Sequence, residues 1–282
     1  MREIDMNESR EQKILRLREL AKQIRLDGLS MALAAGAGGS HIGGSFSCVE
    51  IMAVLYGEIL RLNPEKPYWE DRDRFLPSKN HCVLAHFPAL AAVGYLPREE
   101  LTEFQKNGGR MTGYPRNLEI GLEYSGGSLG MAISVGIGMA LAARECGRSS
   151  RVYVLLGDGE LHEGSNWEGI MSAAHYGLDN LTLIIDRNHL SYDGDTEEVM
   201  ALGDLAGKFR IFGHRVISCD GHDVGELLEA FSGQPEQGRP TVVIADTVKG
   251  KGVSFLENRR ESHHITITRE QYEQAVAEVE IW

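Results

Sequence analysis

Val152-Tyr153-Val154-Leu155-Leu156-Gly157-Asp158-Gly159 is an unbroken apolar run that stops at a Gly-Asp-Gly turn. A short, wholly apolar run bounded by a turn reads as a strand buried on both faces. The pattern recurs downstream. Runs at 181–186, 215–219 and 241–245 are short and largely apolar. Helical stretches near 165–176, 202–212 and 223–232 lie between them. Strand–helix alternation of this kind predicts an α/β fold, a parallel sheet flanked by helices on both faces. Ligands of such sheets bind at the carboxyl ends of the strands, so residues just after each strand are the site candidates.

Upstream, the first forty residues read as helical, with Ile14, Leu17, Ala21 and Ile24 forming an amphipathic stripe. The pattern stops at Gly36-Ala37-Gly38-Gly39. A second helix is expected over 48–60, ended by Asn63-Pro64, and a last one over 269–280. No repeat or linker divides the chain, so one domain over 1–282 is expected. Ser165-Asn166-Trp167-Glu168 reads as a capping box, with Trp167, Ile170, Met171 and Ala174 as the buried stripe of its helix.

The second strand, Leu183-Ile184-Ile185-Asp186-Arg187-Asn188, ends in an asparagine. If the two strands are neighbours, Asp158 and Asn188 meet at one sheet edge. Mg²⁺ and Ca²⁺ bind hard oxygens, about six for Mg²⁺. Asp158 offers a carboxylate, Asn188 an amide oxygen and Leu190 a backbone carbonyl. Two diphosphate oxygens and a water would complete the set. Gly157 and Gly159 allow close backbone approach, and the Gly159 N–H and the helix start behind it favour an anion. A Gly-Asp-Gly alone is usually only a turn. The strand, turn, helix, strand and asparagine in one unit carry the inference. No Gly-Lys-Ser/Thr follows and the G-x-G-x-x-G spacing is absent, which excludes a Walker loop and a dinucleotide fingerprint.

Gly157-Asp158-Gly159 with Asn188 resembles the thiamine-diphosphate motif. The stretch 157–188, with Glu163-Gly164, Trp167-Glu168 and Gly177-Leu178-Asp179-Asn180-Leu181, looks like the N-terminal half of transketolase, and the likeness runs from about Arg16 to Tyr272. Ser40-His41-Ile42-Gly43-Gly44 resembles the family loop whose histidine faces the sugar. Ser78-Lys79-Asn80-His81 resembles the segment whose histidine contacts the diphosphate. Gly127-Ser128-Leu129-Gly130 resembles the loop that touches the cofactor. Lys249-Gly250-Lys251-Gly252 leads to His263, matching a histidine shared by cofactor and substrate, with His264 beside it as competitor. The resemblance implies thiamine diphosphate and Mg²⁺ (or Ca²⁺ or Mn²⁺) as cofactors. It implies Gly127, Ser128, Leu129, Gly157, Asp158, Gly159, Glu160, His81, Asn188 and His263 as cofactor contacts. His41, His81, His263 and Glu163 would be catalytic, with Glu163 at the subunit interface. His41, Tyr114 and His263 would face substrate, and Asp158, Asn188 and Leu190 would hold the metal.

The implied reaction moves a two-carbon ketol unit from a ketose phosphate to an aldose. The family glutamate that activates the pyrimidine ring lies in a second domain, for which residues after 263 leave no room. The chain therefore resembles the first member of a split pair, an α2β2 assembly with a pyrimidine-domain subunit being expected. Three departures cluster where substrate would sit. Thr112-Gly113-Tyr114-Pro115 replaces Gly-His-Pro, Met131-Ala132 replaces Gln-Gly, and His264 replaces a glycine. A tyrosine titrates near pH 10 and cannot shuttle protons near neutrality as imidazole does. An altered sugar preference follows, a deoxyxylulose-phosphate-synthase-like one included. The α subunit of a 2-oxoacid dehydrogenase, which shares the Gly-Asp-Gly and later asparagine, and a non-catalytic assembly subunit are the alternatives.

A net charge of −12 over 282 residues argues against nucleic acid as a general partner. Cys48, Cys82, Cys146 and Cys219 form no C-x-x-C pair, and there is no His-x-x-x-His, so neither a zinc site nor a redox pair is indicated. The cysteines read as small buried hydrophobes. The polar N-terminus has no signal-peptide core, and no stretch is long and apolar enough to span a bilayer, so no membrane association and a cytoplasmic location are expected.

Overall fold

The computed structural model describes residues 8–115 and 120–281. The helical reading of residues 1–7 lies outside them. In chain order the elements are α1 (Arg10–Ala34), α2 (Ile42–Phe46), α3 (Val49–Val54), β1 (Arg74–Pro77), α4 (Val83–Ala92) and α5 (Ala132–Glu145). There follow β2 (Val152–Gly157), α6 (Gly164–His175), β3 (Leu181–Arg187), α7 (Thr196–Met200) and α8 (Leu205–Ile211). The chain closes with β4 (Arg215–Asp220), α9 (Val224–Ser232), β5 (Thr241–Asp246) and α10 (Arg269–Glu280).

The five strands form one parallel sheet in the order β1-β2-β3-β5-β4. Period-two alternation divides their side chains between two cores. Tyr153, Leu155, Ile184, Val243 and Ala245 face the core shared with α1, α3, α4, α9 and α10. Val152, Val154, Leu156, Leu183, Ile185 and Val242 face the other, under α5, α6 and α8. Each fully buried Leu or Ile contributes roughly 1.5–3 kcal/mol of transfer free energy. The expected α/β architecture is what forms, and each of the four expected strands runs one residue further. β1 was not expected: Arg-Phe-Leu-Pro is too short and too flanked by charge to show a period. β4 is an edge strand with exposed positions, not buried on both faces.

Several local expectations are corrected. The helix expected over 48–60 forms, but not as α-helix throughout; α3 ends at Val54 and passes without a break into one wider, π-helical turn, Leu55–Ile59. Ser165 does not cap α6. The helix begins at Gly164 with Glu163 as its N-cap residue, and the Ser165 hydroxyl instead donates to Gly130 O at 3.0 Å. The buried stripe of α6 also differs from the one expected: Asn166, Gly169, Ile170 and Ala173 are buried and Met171 is 54% exposed. Cys48 and Cys82 are buried, but Cys146 is exposed and Cys219 only half-buried; all four are free thiols.

α1 crosses α4 at Gly28, where a Cβ would stand 2.5 Å from Leu84 O, so only glycine permits that approach. A buried network then ties α1 to the loop beyond β5. Arg25 donates to Glu50 at 2.7 Å and to Lys251 O at 3.0 Å. Glu50 also meets His222 Nδ1 at 3.0 Å, and the other ring nitrogen of His222 accepts Val248 N–H at 2.8 Å. Buried charge of this kind is tolerated because every group is paired. It fixes the loop that carries Lys249. Among the described residues no helix is long and apolar enough to cross a membrane.

Candidate active site at the strand ends

β2 and β3 are adjacent, with Gly157 in register with Asp186. The first residues beyond both strands therefore converge. Asp158 Oδ2 accepts His189 N–H at 2.5 Å and Oδ1 accepts Gly159 N–H at 2.8 Å. His189 has φ +63, the left-handed conformation that reverses the chain between Asn188 and Leu190. The Asn188 amide nitrogen points to Asp186 Oδ2 (3.4 Å) and Ser47 Oγ (3.5 Å), and its oxygen accepts Leu190 N–H at 3.2 Å. Asp158 and Asn188 are 2% and 5% exposed and line one cavity of ≈ 550 Å³. The Gly159 N–H proposed for an anion is already bonded to Asp158.

Asp186 is the buried anchor behind this pair. It accepts from Ser47 Oγ (2.6 Å), Lys79 Nζ and Thr247 Oγ1. Burial opposes the charge on both Asp186 and Lys79. Their mutual attraction outweighs it, holding the carboxyl below its ordinary range and the ammonium above its own. Burial raises Asp158, and the Asp186 charge adds to that. A carboxylate raised in this way is one that a divalent cation would relieve.

The loops around Asp158 are joined by Glu160, which is 3% exposed. Its carboxylate accepts Gly130 N–H (2.8 Å), Gly157 N–H (3.1 Å) and the Ser78 hydroxyl. The side chain expected to contact cofactor is thus fully engaged by three loops. Gly130 sits at φ +77, and a Cβ there would come within 2.5 Å of Ser165 Oγ and 2.9 Å of Glu163 Cβ. Gly127 and Leu129 line the cavity, as does Glu163; Ser128, exposed on the same loop, does not.

The cavity wall is a cluster of rings. His41 lies 5.1 Å from His81, 5.7 Å from Tyr114, 5.4 Å from His263 and 4.5 Å from His264. Of the last two, His263 lines the cavity and His264 backs His41 from outside. Burial, then the neighbouring His264 and Lys249, push His41 down to about 4. Burial and Lys249 push His263 down to about 3, and burial with Lys79 takes His81 well below its ordinary value. All three are neutral imidazoles near pH 7.

Two buried lysines were not foreseen as site residues. Lys79 holds Gly44 O at 2.6 Å as well as Asp186. Lys249 donates to Leu190 O (3.0 Å) and Ser191 O (3.1 Å), and burial together with Lys79 lowers its pKa to about 8. Both occur in the quoted motifs, but a lysine in a sequence is ordinarily a surface residue and nothing local marks these two as buried. Among the described residues no three His, Cys, Asp or Glu side chains converge as a metal-ligand set. A cation here would use the mixed carboxylate, amide and carbonyl oxygens of Asp158, Asn188 and Leu190. That donor set suits Mg²⁺ or Ca²⁺.

Residues 17–279 match the family described as "Transketolase, thiamine diphosphate binding domain". An apulose-4-phosphate transketolase subunit of Phocaeicola vulgatus is 42% identical over 240 residues, covering 85% of each chain. The 6-deoxy-6-sulfo-D-fructose transketolase subunit SqwG of a Clostridium species is 38% identical, covering 86% of this chain and 89% of its own length. The transketolase crystal structure from Campylobacter jejuni superposes with a TM-score of 0.88 at 28% identity, covering 95% of this chain and 43% of that one. The chain thus spans most of the length of those two transketolase subunits and less than half of the Campylobacter jejuni transketolase. It belongs to the transketolase family, as a thiamine-diphosphate-binding domain of that family.

Proposed function

We propose that the chain is the cofactor-anchoring subunit of a two-chain transketolase, moving a two-carbon ketol unit from a ketose phosphate to an aldose. The observation that carries this is the convergence of Asp158, Asn188 and Leu190 beside three neutral histidines in one cavity. The Phocaeicola and Clostridium relatives, each named as a transketolase subunit and matched over most of its own length, support the two-chain reading.

Asp158, Asn188 and Leu190 would hold Mg²⁺, and His81, Gly127, Leu129, Gly157 and His263 would border the diphosphate and its ring. When bound, thiamine diphosphate supplies the carbon nucleophile and the electron sink for breaking and remaking the bond beside the ketose carbonyl. The chain's residues position and exclude water. Glu160 holds the three surrounding loops in place before anything binds. His41 and His263 reach substrate oxygens as neutral hydrogen-bonding groups. Tyr114, packed against His41 and Gly127, narrows the sugar end of the cavity and sets which sugar is taken.

The partner subunit would cover the face formed by α5 and α6. Met131 (50% exposed) stands at the start of α5, and Met171 (54%) and Tyr176 (50%) lie along α6 and just past its end, apolar surface on the pair of helices whose N-terminal end carries Glu163. The test is to purify the chain with a pyrimidine-domain partner and assay ketol transfer from ketose phosphates, with pyruvate decarboxylation in parallel. Transfer that requires thiamine diphosphate and Mg²⁺ supports the reading. Activity on pyruvate alone would move the chain to the 2-oxoacid class. Failure to bind the cofactor even with the partner present would leave an inert subunit.

A further inference from the structure

Lys249 is 1% exposed, and its ammonium meets three acceptors. These are Leu190 O at 3.0 Å, Ser191 O at 3.1 Å and His263 Nδ1 at 3.1 Å. An ammonium has three N–H donors and no lone pair. The two carbonyl oxygens can only accept. The third N–H therefore goes to His263, whose Nδ1 must present a lone pair.

We propose that Lys249 is a positioning residue that sets the tautomer of His263, leaving Nδ1 unprotonated and the proton on Nε2. His263 then offers the cavity a hydrogen-bond donor rather than a base. The loop that brings Lys249 there is held independently. Gly250 N–H donates to Gly43 O at 2.9 Å, Asn258 N–H to Lys249 O at 2.9 Å, and Val248 N–H to His222 at 2.8 Å. The imidazole itself is confined by His41, His81 and Tyr192, with ring centroids 5.4, 5.2 and 5.1 Å away.

A division of labour follows. His263 is suited to donate to a diphosphate oxygen or to a hydroxyl or carbonyl oxygen of the sugar. Its only other nitrogen is occupied, so it accepts no proton without giving up Lys249. The ring nitrogens of His41 and His81 have no hydrogen-bond partner among the described residues, which leaves those two cavity rings able to take a proton from substrate. The role of the donor, unlike the tautomer, depends on the cavity being the cofactor and substrate site proposed above.

Two measurements on the full chain test this. Two-bond ¹H–¹⁵N correlation on protein labelled at histidine, with His263 assigned from the His263→Gln spectrum, reads the tautomer directly. Protonated Nε2 is expected, and Lys249→Met should abolish the preference. A proton on Nδ1, or an unchanged tautomer in Lys249→Met, would overturn the proposal. Calorimetry with thiamine diphosphate and Mg²⁺, partner subunit present, reads the role. A glutamine amide can place an N–H near that of Nε2, whereas asparagine mimics Nδ1. His263→Gln should therefore bind at least about tenfold more tightly than His263→Asn, the loss of one hydrogen bond to a charged group. Equal affinities, or the reverse order, would overturn the donor role. If the unaltered protein shows the expected tautomer but binds no thiamine diphosphate, the proposed function fails and the tautomer assignment stands.

Discussion

Asp158 Oδ2 accepts the backbone N–H of His189 at 2.5 Å, so the turn that ends β2 is tied to the turn that ends β3. The two turns hold each other. A left-handed His189 is tolerated because the carboxylate satisfies its N–H, and the carboxylate stays buried because the turn supplies that donor. Asn188 and Leu190, on either side of His189, are thereby presented to the same cavity.

Removing either candidate ligand tests that arrangement. Asp158→Ala and Asn188→Ala should each weaken Mg²⁺-dependent thiamine diphosphate binding by about 100-fold or more, beyond the range seen for outer-shell changes. Titration calorimetry with and without Mg²⁺ reads the effect. Binding that survives both substitutions would place the cation elsewhere.

Glu160 makes a stability prediction. Glu160→Ala strands the Gly130 and Gly157 N–H groups and the Ser78 hydroxyl in a buried place. At about 1–3 kcal/mol for each unsatisfied group, partly relieved by water, the variant should lose about 3 kcal/mol in urea unfolding. Glu160→Gln keeps an acceptor and should lose less. A loss below about 0.5 kcal/mol for the alanine variant would mean the loops are held by other contacts.

Stability should fall in acid. His41 and His214 are pushed down to about 4 and His86 to about 3, burial being the largest cause for each. His263, at about 3, and His81 shift the same way. Unfolded, these residues titrate near pH 6.5, so between that value and about 4 the unfolded chain binds more protons than the folded one. The stability they confer is complete above pH 6.5 and is lost as pH falls toward 4. Asp27, Asp158 and Glu160, raised by burial, act in the opposite sense, three groups against five. Urea midpoints measured from about pH 7.5 down to about pH 4.5 should decline steadily. A flat profile would contradict the burial of these rings.

The exposed face of α6 predicts an assembly defect without a folding defect. Met171→Glu replaces a side chain that is 54% exposed and should change the unfolding free energy of the isolated chain by no more than about 0.5 kcal/mol. Co-purification with the partner subunit should fall sharply. Normal assembly by this variant would move the interface away from α6.

The fold was legible because β2, β3 and β5 are buried on both faces and show as uninterrupted apolar runs, with a helix between successive strands. β1 escaped because four residues ending in proline carry no period. Ser165 was misread because a capping box needs only local sequence, while its hydroxyl is claimed by Gly130, thirty-five positions away along the chain. Met171 was misassigned because an apolar residue beside Ile170 reads as part of the stripe, whereas α6 packs through Asn166, Gly169, Ile170 and Ala173, and Met171, about 100° further round, faces outward.

The residues that carry chemistry divide in the same way. Sequence alone determined which oxygen donors and imidazoles are available, since Asp158, Asn188, His41, His81 and His263 stand in motifs whose spacing is local. Only the tertiary structure decided what each one can do. Parallel pairing of β2 with β3 brings Asp158 to Asn188, and burial turns the histidines into neutral rings. The return of the loop beyond β5 carries Lys249 into the cavity, where its three donors are divided between two carbonyls and one imidazole. Protonation and hydrogen-bond direction depend on burial and on partners distant in sequence, and no local pattern of residues encodes either.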